Sequence, residues 1–189
     1  MALIESKKAD HEQTFPSFEL KNTNDINTHS NELMGNNGLV ILFTCNHCPY
    51  AKALWDRTIR DFSIIQQAGF NIIAINPNIH PDYPEDSFEQ MVQMAADLNI
   101  PYPYLVDETQ SIARAYDAQC TPDLYVLNQQ MKLIYRGAYD DHWKDASLVT
   151  EPYLLNALNA YQDNPTITIP TKKPSIGCSI KWVNDNLSF

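Results

Sequence analysis

The run from Gly38 to Cys45 (GLVILFTC) constrains this chain more than any other segment, because it is apolar without alternation and leads straight into a helical pattern. A continuous aliphatic and β-branched run marks a strand covered on both faces, the kind found in parallel sheets sandwiched between helices. Behind it, Tyr50, Leu54, Ile59, Phe62 and Ile65 fall near 3.6-residue spacing, which predicts a helix over about Cys48–Ala68. Gly69 then stands where a helix ends in a left-handed residue. At the junction sit Cys45 and Cys48, two residues apart, with His47 between them and Pro49 directly after.

The pattern continues in the same style. Phe70–Asn78 predicts a second buried strand, and Asp86 or Ser87 caps a helix of about ten residues. Tyr102–Glu108 predicts a third, short strand and Thr109–Ala118 a small helix. Pro122–Asp140 predicts two strands joined at Asn128–Gln130, and a last helix runs from Thr150, as N-cap, through Pro152 to about Gln162. The order β–α–β–α–β–α–β–β–α implies an α/β fold with a central mixed sheet flanked by helices. The 189 residues suit one domain, with a core of about 15–162 and an extended, Pro-rich C-terminal arm, 163–189, packed on it. In the polar N-terminal extension, Phe15–Leu20 predicts an edge strand at best, because Pro16 cannot donate to a ladder.

Charge excludes some roles. The net charge is −10 and no Lys/Arg run exceeds two residues, so the basic footprint of a nucleic-acid binder is absent. No apolar run approaches the roughly 18 residues of a membrane span. The start carries no apolar signal region, so a cytoplasmic home is expected. In that compartment four cysteines point to catalysis, metal binding or reduced thiols rather than a disulfide framework.

Proline is tolerated in the first turn of a helix but not further in. Pro49 therefore predicts that the helix begins around Cys45 or Asn46, with Cys45 where free N–H groups and the dipole favour an anion. That makes Cys45 the expected low-pKa nucleophile, helped by a protonated His47, and Cys48 the resolving thiol. A structural zinc site needs four ligands, usually with a second cysteine pair, and Cys120 and Cys178 are single and far apart. A copper or zinc site could instead draw on Cys45, Cys48, His47 and Cys120, with an imidazole from the loop residues His80 or His142. Cys120, two residues before Pro122, is a candidate third thiol near Cys45; a buried small residue explains it equally simply. Cys178 lies beside Gly177, which suggests a tight turn or close backbone approach; a tail folded back over the domain would bring Cys178 near the site as a further thiol, while packing of Ile176, Ile180 and Trp182 accounts for that stretch without chemistry. Tyr50, Tyr83 and Trp55 are candidates for an apolar groove, and Asp140–Asp145 reads as a solvated turn.

The strand–CxxC–helix unit, Thr121–Pro122 and the closing hairpin and helix resemble the thioredoxin fold. The resemblance implies a cis Pro122 facing the cysteines, with the Thr121 backbone offered to an incoming peptide as an added strand. CNHCPYAK, CTPDLYVL and PSIGCSIKW together resemble a bacterial subfamily labelled by its redoxin, or alkyl hydroperoxide reductase/thiol-specific antioxidant, domain, across residues 15–183. It implies an oxidoreductase acting on a protein or small-molecule disulfide or on a peroxide, with a thiol reductant such as thioredoxin or glutathione and no cofactor. Peroxiredoxins use P-x-x-x-T-x-x-C; here the threonine slot holds Leu42 and the proline slot Gly38. Thioredoxins carry a Trp before the motif and a buried acid on the preceding strand, and this chain has Thr44 and no acid in GLVILF. His47 before the second cysteine is similar to oxidising members such as protein disulfide isomerase, near −180 mV against about −270 mV for thioredoxin. These features favour a thiol–disulfide oxidoreductase using Cys45 and Cys48, with a thiol peroxidase and a metal-binding protein of this fold as alternatives.

Overall fold

A computed structural model describes residues 3–183. The elements are β1 (Leu3–Glu5), β2 (Glu19–Asn22), β3 (Asn27–His29), β4 (Gly38–Phe43), α1 (Pro49–Gln67), β5 (Phe70–Asn76), α2 (Phe88–Asp97), β6 (Tyr104–Val106), α3 (Ser111–Ala115), β7 (Cys120–Thr121), β8 (Asp123–Asn128), β9 (Leu133–Arg136), α4 (Tyr153–Asp163) and β10 (Ile176–Ser179). The main sheet has the order β3–β2–β6–β5–β4–β8–β9, and a second sheet runs β1–β10–β7.

β4 is central, parallel to β5 and antiparallel to β8. Side chains alternate across a strand, so one apolar run feeds two cores. Val40 and Leu42 join Ile72, Ala74, Leu54, Trp55, Leu154 and Leu158 on one face. Leu39, Ile41 and Phe43 join Ile73, Ile75, Tyr116 and Tyr125 on the other. Full burial of each large aliphatic side chain is worth roughly 1.5–3 kcal/mol, which makes β4 a rigid mount for whatever follows Phe43.

The predicted α/β order holds, with corrections. β2 lies between β3 and β6 and is not an edge; Pro16 falls before the strand, so its missing N–H costs no ladder bond. α1 begins at Pro49 with Cys48 as N-cap, not at Cys45 or Asn46. Proline takes the first helical position, where its absent donor is unneeded. Ser87, not Asp86, caps α2, its hydroxyl accepting from the Gln90 amide. Thr150 does not cap α4; its hydroxyl donates to Asp141, and Pro152 precedes the first turn. Asp140 is not solvated: it is buried and pairs with the buried Arg57 at 2.6 Å. Arg57 also donates to the carbonyls of His142 and Trp143, and this pins their loop against α1.

The C-terminal arm includes a strand, β10, clasped between β1 and β7. Its register sets Cys178 opposite Thr121. Gly177 permits this approach, since a Cβ there would stand 2.1 Å from the Thr121 carbonyl oxygen.

Candidate active site

Three of the four cysteines meet at the carboxyl end of β4. Cys45, Cys48 and Cys178 form one buried cluster around Ala51. Cys45 follows the rigid end of β4, Cys48 caps α1, and Cys178 arrives on β10. The Thr121–Pro122 peptide is cis, as the resemblance implies, and Thr121 touches two of the thiols. Its hydroxyl lies 3.2 Å from Cys45 Sγ, and its carbonyl accepts from the Cys48 thiol at 3.0 Å. Cys48 Sγ and Cys178 Sγ are 2.8 Å apart.

The loop between the two cysteines is held by a residue that the sequence pattern offered only as a helix cap. Asp86, wholly buried, accepts the Asn46 amide at 2.6 Å and the His47 amide at 3.2 Å, and its second oxygen bonds His47 Nδ1. Asn46 donates to the Glu85 carbonyl and accepts from the Tyr104 hydroxyl. The His47 ring packs on Tyr83, and its Nε2 is buried without a partner among the described residues. The signal in the sequence is slight: Asp86 sits in a Pro-rich loop beside Ser87, which alone suffices as cap.

The two motif thiols are tuned in the opposite sense to the one the sequence suggests. Burial, the Cys48 thiol and the nearby Asp86 carboxylate push the Cys45 thiol up. Cys48 is lowered to about 5, chiefly through its interaction with the Cys45 side chain and, less, with Cys178, against the cost of burial. The helix start adds a smaller contribution: with α1 beginning at Pro49, it is Cys48, not Cys45, that lies by the first turn, where the Ala51 amide favours its thiolate. Burial and the Cys48 contact push Cys178 up to about 12.

The remaining candidates separate. Cys120 is buried, and its thiol donates to the Pro122 carbonyl rather than to Cys45; burial pushes its pKa far up. His80 and His142 accept local amides, from Asp82 and Asp145. Trp55 is core, edge-on to Tyr104. Tyr50 stacks on Trp143, and the two line a cleft with Leu54, Pro122 and Tyr139. Among the described residues, the metal-type cluster is Cys45, His47 and Asp86, with ligand atoms within 4.8 Å of one another. That set omits Cys48 and Cys120, the partners a copper or zinc site would draw from the sequence.

Residues 12–136, two-thirds of the chain, match the AhpC/TSA family. The chain belongs to the AhpC/TSA family. This AhpC/TSA protein is similar in structure to an uncharacterized conserved protein from Geobacillus kaustophilus, at 39% identity over 97% of each chain and TM-score 0.89. It shares its fold with peroxidoxin BcpB from Mycobacterium tuberculosis (14% identity, 79% of this chain and 96% of that one, TM-score 0.64). A putative thioredoxin from Neisseria meningitidis also shares it (18% identity, 82% and 93%, TM-score 0.61). No curated protein matches. The fold is thioredoxin-like, and the family is one of oxidoreductases acting on peroxides or disulfides by thiol chemistry. No described helix of the AhpC/TSA protein is long and apolar enough to cross a membrane.

The thiol tuning has a measurable consequence. Ultraviolet thiolate absorbance of the reduced protein should show one thiolate titrating with a midpoint near pH 5, lost in Cys48→Ser. The unfolded chain keeps that proton to about pH 8.5. Between these limits the unfolded state binds the extra proton, so stability from this group rises with pH, by at most about 1.4 kcal/mol per pH unit. Above about pH 8.5 the raised Cys45 and Cys178 reverse the slope, because the unfolded chain then loses protons that the folded one keeps. A thiolate midpoint in the ordinary thiol range would refute the assignment.

Proposed function

We propose that this protein is a thiol–disulfide oxidoreductase that cycles Cys45 and Cys48 between dithiol and disulfide. The observation that carries the proposal is the mutual placement of the two thiols: Cys45 and Cys48 share one buried cluster, and both contact Thr121, whose peptide bond to Pro122 is cis. In the reducing direction the Cys48 thiolate attacks one sulfur of a substrate disulfide, and the other substrate sulfur leaves as a thiolate. Cys45 then gives up its proton and attacks Cys48 Sγ. The internal disulfide closes and the second substrate thiolate departs. Two electrons pass from protein to substrate, and a thiol partner such as thioredoxin or glutathione restores the dithiol. His47, held by Asp86, has a ring nitrogen within 4.8 Å of Cys45 Sγ and is the base placed to receive that proton.

A second reading, a thiol peroxidase, is favoured by the family and by one contact. The hydroxyl missing at Leu42 is supplied near Cys45 by Thr121. Against it, the two fully buried arginines are engaged elsewhere, Arg57 by Asp140 and Arg136 by Asp123, and among the described residues no guanidinium bonds a cysteine. Side-by-side assays of protein-disulfide reduction and hydrogen peroxide consumption separate the two. Disulfide turnover should exceed peroxide turnover. Rapid peroxide consumption that vanishes in Cys45→Ser, without disulfide turnover, would replace the first reading with the second.

A further inference from the structure

The geometry points to Cys178 as a third redox thiol, which exchanges with the Cys45–Cys48 disulfide and carries its oxidising equivalent to β10. Four observations converge. Cys178 Sγ lies 2.8 Å from Cys48 Sγ, while Cys120, equally buried, is bonded away to Pro122. Backbone pairing fixes the approach: Cys178 faces Thr121 on one side and Leu3 on the other, and Ser6 exchanges hydrogen bonds with Ser175 to hold the strand's start. Gly177 lets β10 press on the Thr121 carbonyl, where any side chain would force it off. Of the three clustered thiols, only Cys178 keeps exposed surface, 4% against 0% for Cys45 and Cys48.

The pairing also corrects one expectation. The Thr121 edge, which would receive an incoming peptide as an added strand, is occupied by β10. A peptide added there would bring its cysteine to the motif; here the chain's own strand does so. The inference rests on the thiol–disulfide reading, and the step needs no outside reagent. Cys178, as its thiolate, attacks Cys48 Sγ of the Cys45–Cys48 disulfide. The Cys48–Cys178 bond forms, the Cys45–Cys48 bond breaks, and Cys45 leaves as a thiolate that takes up the proton released by Cys178. Cys178 is oxidised, Cys45 is reduced, and Cys48 stays in a disulfide throughout. An external thiol then meets the disulfide at its more exposed sulfur.

Disulfide mapping of the full chain tests this. The reduced protein is oxidised with one equivalent of diamide, alkylated at acid pH, and digested with trypsin. A Cys45–Cys48 disulfide stays within the fragment 22–52, whereas Cys48–Cys178 joins it to the fragment 173–181. Wild type should yield both forms, Cys45→Ser the joined fragments in most molecules, and Cys178→Ser the internal form alone. Gly177→Ala keeps every thiol and displaces β10, so it should lose the joined form and retain the internal one. If neither wild type nor Cys45→Ser yields joined fragments, the third thiol is refuted. The Cys45–Cys48 reading survives that result as long as Cys178→Ser still closes its disulfide and turns over substrate. Failure of Cys178→Ser to form the internal disulfide would overturn that reading instead. Should Cys45→Ser not fold, the joined fragments in oxidised wild type decide the question, since their presence supports the relay and their absence refutes it.

Discussion

Cys48→Ser should lower disulfide turnover by about 10³-fold or more, to the level of uncatalysed exchange, while the protein stays folded. The size follows from position rather than from the cysteine's identity. Cys48 caps α1, carries the depressed pKa, and lies 2.8 Å from Cys178 in the cluster it shares with Cys45. It is thus the common partner of both disulfides the cluster can form, and serine can make neither. Serine is close in volume and keeps a donor for the Thr121 carbonyl, so the packing around Ala51 is disturbed little. Cys45→Ser and Cys178→Ser each leave one pair intact and should lose less. The comparison is made by steady-state reduction of a protein disulfide across the three variants, with circular dichroism confirming the fold. If Cys48→Ser kept most of its turnover while Cys45→Ser lost it, Cys45 would be the attacking thiol and the charge assignment would be wrong.

That ordering reverses the one the motif suggests, and the reason shows where sequence stops being legible. The strands and helices around the cysteines are local facts. An unbroken apolar run, a 3.6-residue pattern and Gly69 sit in the sequence and reappear as β4, α1 and the turn between α1 and β5. Gly177 is legible for the same reason, since a bare residue beside a cysteine announces a close approach, and the structure supplies the carbonyl it approaches. Thiol charge is not local. It depends on which residue meets the first-turn amides, and Pro49 allows the helix to start at itself as readily as one turn earlier. It depends also on Asp86, 41 residues beyond Cys45, which is brought back by the loop after β5. A β-strand in a Pro-rich tail, four residues long and paired on both sides, has too little pattern of its own to be read before its partners are known. The edge thus closed, and the thiol thus delivered, are products of tertiary pairing.

Asp86→Ala should cost about 3–5 kcal/mol, the usual consequence of removing one member of a buried, hydrogen-bonded charged set. The carboxylate satisfies two backbone amides and an imidazole nitrogen in a site closed to water, and alanine leaves all three without partners. In a chain of this length each kcal/mol is worth roughly 2–4 °C, so the melting temperature should fall by about 10 °C. Asp86→Asn separates structure from charge. Its carbonyl oxygen can still accept the Asn46 and His47 amides, so most of the stability should remain. The negative charge that pushes the Cys45 thiol up is gone, although burial, the larger cause, persists. Alkylation of Cys45 at fixed pH, with Cys48 replaced by serine to remove its signal, should therefore speed up in Asp86→Asn. Urea unfolding of both variants checks the first claim and the alkylation rate the second. If Asp86→Asn is as unstable as Asp86→Ala and leaves the rate unchanged, Asp86 holds the loop through its hydrogen bond with His47 alone, and its charge does not set the state of Cys45.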